Sequence, residues 1–223
     1  MTEIGNQVGV IPEMQRVTDS EGGEFFASKT NVLTFYERDF FATQTRCNTS
    51  QMTFTDTGVG VGYDAQGIRI DYDADRIRND VNVRFSGGGI NSNADNTSIS
   101  TFGAAEWTVE TVLDSPSSAS TLAARLTTLY KNPKMAIEPF MSKGQKDPSY
   151  NWPRLLALEL LDRVTFKRTP ATGSAIVKDL LVQSIEHRIT PGEWQTVVNG
   201  STRYTNWFIV GVSLIGGDDL LLN

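Results

Sequence analysis

Residues 184–200 read SIEHRITPGEWQTVVNG and contain His187, the single histidine of a 223-residue chain. The segment is either part of an active site or a corner where two β-strands meet. Val177, Leu181, Ile185 and Ile189 share the parity of His187, and Val182 has the opposite one. Alternate side chains of a strand face opposite sides, so this run predicts one long strand. Thr190-Pro191-Gly192 then forms a turn, in which proline presets φ and glycine tolerates a positive one. Trp194, Thr196 and Val198 alternate on the returning strand. The segment therefore predicts a corner of a β-barrel or sandwich, with His187 a partly buried strand residue making one hydrogen bond.

A histidine does chemistry only with companions, and the chain offers few. It has no G-x-S-x-G elbow and no second histidine for a zinc pair, and Cys47 is its only cysteine. Asp71, Asp73 and Asp75 have the spacing of the first ligands of a calcium loop. Arg76, however, stands where that loop needs glycine, and Asn82 where it needs a closing glutamate. Gly58, Gly60 and Gly62 read G-V-G-V-G, which is not the dinucleotide pattern. No catalytic set, cofactor or metal is assigned.

Composition narrows the class further. Hydrophobic residues make up 39% and charged residues 21%, the balance of an ordinary globular chain. The net charge is −6 with no run of Lys or Arg, which argues against nucleic-acid recognition and against anionic membrane surfaces. No apolar stretch is long enough to span a bilayer, and MTEIGNQVGVIPE carries charge where a signal peptide needs an apolar run. Assembly in a cytoplasm is the expectation.

The fold class read from the chain is α+β and mostly β, with barrel-like or sandwich-like parts. Ile4, Val8, Ile11, Met14 and Val17 predict a short N-terminal helix over about 12–19, stopped by Glu21-Gly22-Gly23. GEFFASKTNVLTFYER predicts two short strands around a polar turn at 28–31. Residues 52–63 and the polar SGGGINSNADNTS are expected to be loops, the latter the most flexible segment. Leu122, Leu126, Leu129 and Tyr130 define one clear helix over about 117–132, capped by Ser117 or Ser118 and ended by Asn132-Pro133. The remainder is β-like, although 155–161 also suits a helical turn. These patterns suggest an arm with a short helix (1–20), a first α+β domain (21–133) and a second barrel-like domain with a C-terminal strand (134–223).

Three segments carry a family resemblance: EGGEFFASKTNVLTFYERD, LLALELLDRVTFKRTP and LLVQSIEHRITPGEWQTVV. In order they resemble the minor tail, or tail-hub, proteins of long-tailed bacteriophages, especially those infecting actinobacteria, over about residues 11–200. The matching motif residues are Asp162, Arg163 and Val164, then His187, Thr190, Pro191, Gly192 and Trp194. Leu161 replaces a frequent glycine, and Gln183-Ser184 replaces a more usual Glu-Gly. The chain starts near what is normally the middle of the longer family members, so a further N-terminal β-domain is expected to be missing or supplied by another chain. The resemblance implies a non-enzymatic part of a virion tail tip. Such proteins form rings, commonly trimers with pseudo-sixfold symmetry, between the tail tube and the distal receptor-binding or puncturing proteins. Gly87, Gly88 and Gly89, with Phe208, Val210 and Val212 of the apolar C-terminal strand, are the candidate intersubunit contacts. The rival functions are a tail-associated cell-wall hydrolase and a carbohydrate or receptor binder using Trp107, Trp152, Trp194 or Trp207.

Overall fold

The computed structural model of the chain describes residues 9–38, 40–65, 68–202, 207–208 and 220–221. In chain order the elements are α1 (Val10–Glu21), β1 (Glu24–Ala27), β2 (Leu33–Tyr36), α2 (Phe40–Thr43), α3 (Thr45–Asn48), β3 (Thr53–Thr55), β4 (Val61–Gly62) and β5 (Ile70–Asp73). Next come β6 (Asp80–Arg84), β7 (Ile90–Ala94), α4 (Asn96–Phe102), β8 (Glu106–Glu110), α5 (Pro116–Tyr130), β9 (Lys134–Ile137) and β10 (Phe140–Lys143). The last are α6 (Pro148–Ala157), β11 (Arg163–Arg168), β12 (Ile176–Thr190), β13 (Glu193–Ser201), β14 (Trp207–Phe208) and β15 (Leu220–Leu221). The fold is α+β, as the sequence patterns predict. No helix among the described residues is long and apolar enough to cross a membrane.

Two compact units interleave along the chain. Residues 1–39 and 72–134 make one, and residues 40–71 and 135–223 make the other. The sequence reading arranges its domains consecutively, with boundaries near 20 and 133. In the structure, the segment 40–71 instead belongs with the second half of the chain. Periodicity reports local structure and carries no information about which distant segment completes a sheet.

The first unit is built on a three-stranded sheet, β7-β6-β8, with β6 antiparallel to β7 and parallel to β8. Val81, Val83 and Val109 alternate onto one face and meet Ala119, Ala123, Leu122 and Leu126 of α5. Trp107 packs edge-on to Tyr130 at 5.6 Å. Asn79, fully buried, ties the connections together. Its Nδ2 donates to Ser98 Oγ (3.0 Å) and to the Gly103 carbonyl (2.8 Å), and its Oδ1 accepts from the Ala105 amide (2.8 Å).

Two expectations in this unit are corrected. SGGGINSNADNTS is a tight turn, a strand (β7) and a capped helix (α4), not a flexible loop. Its strand shows no hydrophobic alternation because its own residues are mostly Asn and Ser: Ser92 Oγ donates to Asn82 Oδ1 at 2.5 Å, and the Asn93 carbonyl accepts from Thr127 Oγ1 at 3.0 Å. Asp95 caps α4 by accepting from the Ser98 amide at 2.8 Å. The cap of α5 is Ser115, with Pro116 in the first turn, in place of Ser117 or Ser118. Helix α1 ends at Gly22, whose φ of 72° lets its amide reach the Thr18 carbonyl. The apolar residues Val10, Ile11 and Val17 of α1 are exposed within the described residues.

The second unit is a nearly closed, mixed, six-stranded barrel-like sheet in the order β10-β13-β12-β11-β3-β4. Strand β3 lies parallel to both β11 and β4, and the other pairs are antiparallel. The two ends of the sheet meet through an antiparallel bridge between Tyr63 and Ser142. Beside it the Asp64 amide donates to the Met141 carbonyl (2.7 Å), and Ser142 Oγ donates to the Gly62 carbonyl (2.6 Å). Inside lie Phe54, Tyr63, Phe140 and Phe166, with ring centroids 4.8–5.7 Å apart. Residues 52–63 therefore contribute two core strands, not a loop. Gly60 permits this, because a Cβ there would stand 2.7 Å from the Thr53 carbonyl oxygen.

Two further corrections concern the barrel wall. Residues 148–157 form helix α6, announced by Asp147, which caps it, and Pro148 in its first turn. The single parity predicted for β12 is also broken. A bulge at Gln183 shifts the register between Val182 and Ser184. The inward set is Leu180 and Val182 before the bulge, and Ile185 after it.

Leu161 has a φ of 64° and is only 4% exposed. It occupies the position where the resemblance expects glycine. A left-handed conformation costs a non-glycine residue about 1–2 kcal/mol, and burial of the leucine side chain contributes about 1.5–3 kcal/mol in return. In an ordinary extended or helical position Gly is worse than Ala. Here Leu161→Gly is expected to be at least as stable as Leu161→Ala in urea unfolding, with both below wild type.

Candidate functional site

The predicted motif residues fall into two groups. Asp162, Arg163 and Val164 form the entry to β11. Val164 is fully buried in the barrel core. Arg163 crosses to Asp179 on β12 (Nε to Oδ2, 3.1 Å) and donates to the Asn48 carbonyl (2.9 Å). Asp162 is 1% exposed and faces Arg46 of α3 in a fork-to-fork ion pair, with Nε to Oδ1 at 2.6 Å and the second arm on Oδ2. The Glu159 amide donates to the same carboxylate at 2.7 Å, and Arg46 also caps the Ala157 carbonyl at 2.9 Å.

Burial raises the Asp162 carboxyl, and hydrogen bonds from Arg46 and the Glu159 amide oppose that rise. The hydrogen bond to Asp162 raises Arg46 in turn. The first shift disfavours ionisation of the pair and the second favours it. Three donors converging on one carboxylate decide for the ionised pair. The arrangement locks α3 and the α6–β11 turn onto the barrel and leaves no carboxylate oxygen free for substrate. Sequence reasoning marked Asp162 but missed Arg46, because the partners lie 116 residues apart.

His187, Thr190, Pro191, Gly192 and Trp194 form the far end of the β12–β13 hairpin. Thr190 pairs with Glu193 across the two-residue turn, and Gly192 has a φ of 85°. His187 is exposed, not partly buried as expected, and has two partners instead of one. Its Nδ1 lies 3.1 Å from Thr196 Oγ1 and accepts from Trp194 Nε1 at 3.3 Å. An indole N–H can only donate, so Nδ1 is the acceptor and the proton of the neutral ring sits on Nε2. The imidazole stands edge-on to the Trp194 ring at 5.7 Å. Trp194 in turn packs on Trp152 of α6 at 4.6 Å. Gly144 makes room for Trp152, since a Cβ there would come within 2.5 Å of the indole. The one hydroxyl in these contacts, that of Thr196, is fully buried, and no carboxylate orients the ring; the histidine braces a hairpin.

An open cavity of about 900 Å³ lies against the hairpin turn, beside the strand end that closes the barrel. Asp56, Tyr63, Asp64, Lys143, Lys146 and Glu193 are among the residues that line it. Lys143 and Glu193 pair at 2.5 Å, and Asp56 accepts from the Thr169 amide through both oxygens at 3.0 and 2.8 Å. Tyr63 donates to the Lys167 carbonyl at 3.0 Å. Burial, then the charge of Asp56, pushes its phenol up to about 12. Among the described residues no group of three or more His, Cys, Asp or Glu side chains is placed to hold a metal ion.

Cys47 is buried in α3, and burial followed by the nearby Asp162 charge raises its thiol to about 12. It is therefore a thiol at neutral pH and a poor nucleophile. The interface candidates fall in different settings. Gly87 and Gly88 form the open β6–β7 turn with φ of 96° and 83°. A Cβ on Gly89 would collide with the Phe85 ring at 2.2 Å. Phe208 lies in the two-residue strand β14, paired parallel with β15. Val210 and Val212 lie outside the described residues.

No protein-family model and no curated protein matches the chain. Solved structures do. The tail protein from Neisseria meningitidis MC58 aligns at TM-score 0.56 and 13% identity, covering 89% of this chain and 56% of that one. The 43 kDa tail protein of prophage MuSo2 from Shewanella oneidensis aligns at TM-score 0.51 and 11% identity, covering 91% of this chain and 55% of that one.

Two measurements check this account. Arg46→Ala should destabilise the protein by about 3 kcal/mol in urea unfolding, because it strands a buried carboxylate. Cys47 and Tyr63 both have native pKa values above their ordinary ones of 9.0 and 10.0. Their stabilising contribution is complete below pH 9 and is lost as pH rises towards about 12. The urea midpoint should fall across that window, and a thiol reagent should label Cys47 at neutral pH only once the protein unfolds.

The chain thus shares the fold of these two tail proteins and spans a little over half the length of each.

Proposed function

We propose that the chain is a non-enzymatic structural component of a phage tail tip, part of the hub or baseplate ring that joins the tail tube to distal host-recognition or puncturing proteins. The observation that carries this reading is the fold shared with two tail proteins across about nine tenths of the chain. The placement of the motif residues supports it. Asp162, Arg163, Val164, His187 and Trp194 are spent on holding strands and a hairpin in place, as a scaffold requires. Its partners on this reading are copies of itself and other tail proteins, and its location is the virion. The Gly87–Gly89 turn and the C-terminal segment with Phe208, Val210 and Val212 are the proposed contacts with neighbouring subunits.

The test is quantitative mass spectrometry of purified particles against the major tail-tube subunit. The expected result is a few copies per particle in a multiple of three. Absence from the particles would overturn the proposal.

A further inference from the structure

Strand β12 is longer than its neighbours. β11 pairs with it over Ile176 to Leu181, and β13 pairs with it over Leu181 to Thr190. From the bulge at Gln183 onward, β13 flanks one edge, and the opposite edge has no strand against it among the described residues. Residues 184–190 pair with β13 on one side, and alternate residues among them turn their backbone N–H and C=O groups to the other edge, which is unpaired among the described residues and is a template for another strand.

The side chains along this edge specify what can pair with it. Glu186 and Arg188 share one face, each 57% exposed, and bond to each other through both guanidinium arms at 2.7 and 3.0 Å. Ile185, His187 and Ile189 share the other face, and Ile189 is 65% exposed. Charged side chains, lysine above all, are a common guard of an edge strand against a second copy. This one carries one charge of each sign, placed symmetrically about His187.

We infer that residues 184–190 form a homodimer edge, pairing antiparallel with the same residues of a second copy about a two-fold axis through His187. That register sets Glu186 opposite the partner subunit's Arg188, and Arg188 opposite the partner subunit's Glu186. Each intrastrand ion pair becomes half of a four-charge network. On the other face Ile185 meets the partner subunit's Ile189, which covers the exposed isoleucine. Directly opposed unlike charges and apolar pairs are the side-chain combinations that stabilise antiparallel strands, and a two-fold contact requires such self-complementarity. The interface is a short strip, below the roughly 1,200 Å² of stable complexes, so it is expected to be weak, with a Kd on the order of 10–100 μM.

The experiment is sedimentation equilibrium of the full chain from about 10 μM to about 1 mM, a range set by that expected affinity. Wild type should pass from monomer to dimer. Glu186→Arg and Arg188→Glu each set like charges opposite each other at both ends of the contact, and each should weaken association at least tenfold. The double variant E186R/R188E restores complementarity and should dimerise as wild type does. Unchanged thermal melting would show that the exposed substitutions leave the fold intact. Concentration-dependent protection from hydrogen exchange of the alternate 184–190 amides that face away from β13 would locate the contact. A monomer throughout, a trimer indifferent to the swaps, or a double variant that fails to recover would each overturn the inference. So would those outward-facing amides being protected equally at every concentration, which would mean that another part of the same chain covers the edge. The inference does not depend on the tail assignment: a chain found in particles yet monomeric here would overturn only the dimer edge.

Discussion

The second unit depends on closing a sheet around four aromatic rings. Phe54, Tyr63, Phe140 and Phe166 arrive from β3, the end of β4, β10 and β11, and none is more than 5% exposed. Each aromatic side chain buries a large apolar area, and edge-on or offset contacts between rings add about 0.5–1.5 kcal/mol apiece. That cluster is what draws β4 and β10 together, where the Tyr63–Ser142 bridge and the Asp64 amide complete the circuit. Closure removes two sheet edges at once. It also explains why a glycine-rich stretch can serve as wall: Gly60 lets the Thr53 carbonyl and the Thr55 side chain approach where a larger residue would block them.

Once the barrel is closed, its remaining ends are held by charge. Arg46 and Asp162 tie α3 to the turn that feeds β11, and Arg163 and Asp179 clamp β11 to β12. A buried carboxylate is tolerated only with such a full set of donors. The same logic separates structural from catalytic use. A catalytic carboxylate or thiol must keep an atom available to substrate, whereas Asp162 has every oxygen engaged and Cys47 is held as a neutral thiol. The hairpin histidine commits Nδ1 to Trp194 and Thr196, which fixes its ring against the hairpin.

The β12–β13 hairpin runs from the barrel wall out to solvent. Its inner half is barrel wall, and its outer half runs past the end of β11, where no strand flanks that edge among the described residues. The bulge at Gln183 marks the change. By adding one residue it turns Ile185 towards the core and leaves Glu186 and Arg188 outward, so that one strand serves the interior first and solvent afterwards.

Much of the local structure was legible in the sequence because local rules govern it. Apolar spacing of three and four marked α5, glycine marked the end of α1, and the Pro-Gly turn flanked by alternating residues marked the hairpin. Where the pattern was polar or broken, the sequence misled: β7 is built from Asn and Ser, β3 and β4 are short and glycine-rich, and the bulge inverts the parity of β12. The tertiary structure alone decided the long-range pairings. These are the insertion of residues 40–71 into the second unit, the union of Arg46 with Asp162, and the closing of β4 on β10. Helical and turn signals depend on neighbours a few bonds apart, whereas the choice of a distant strand depends on the summed burial and hydrogen bonding of the whole barrel. No short window of sequence contains that sum.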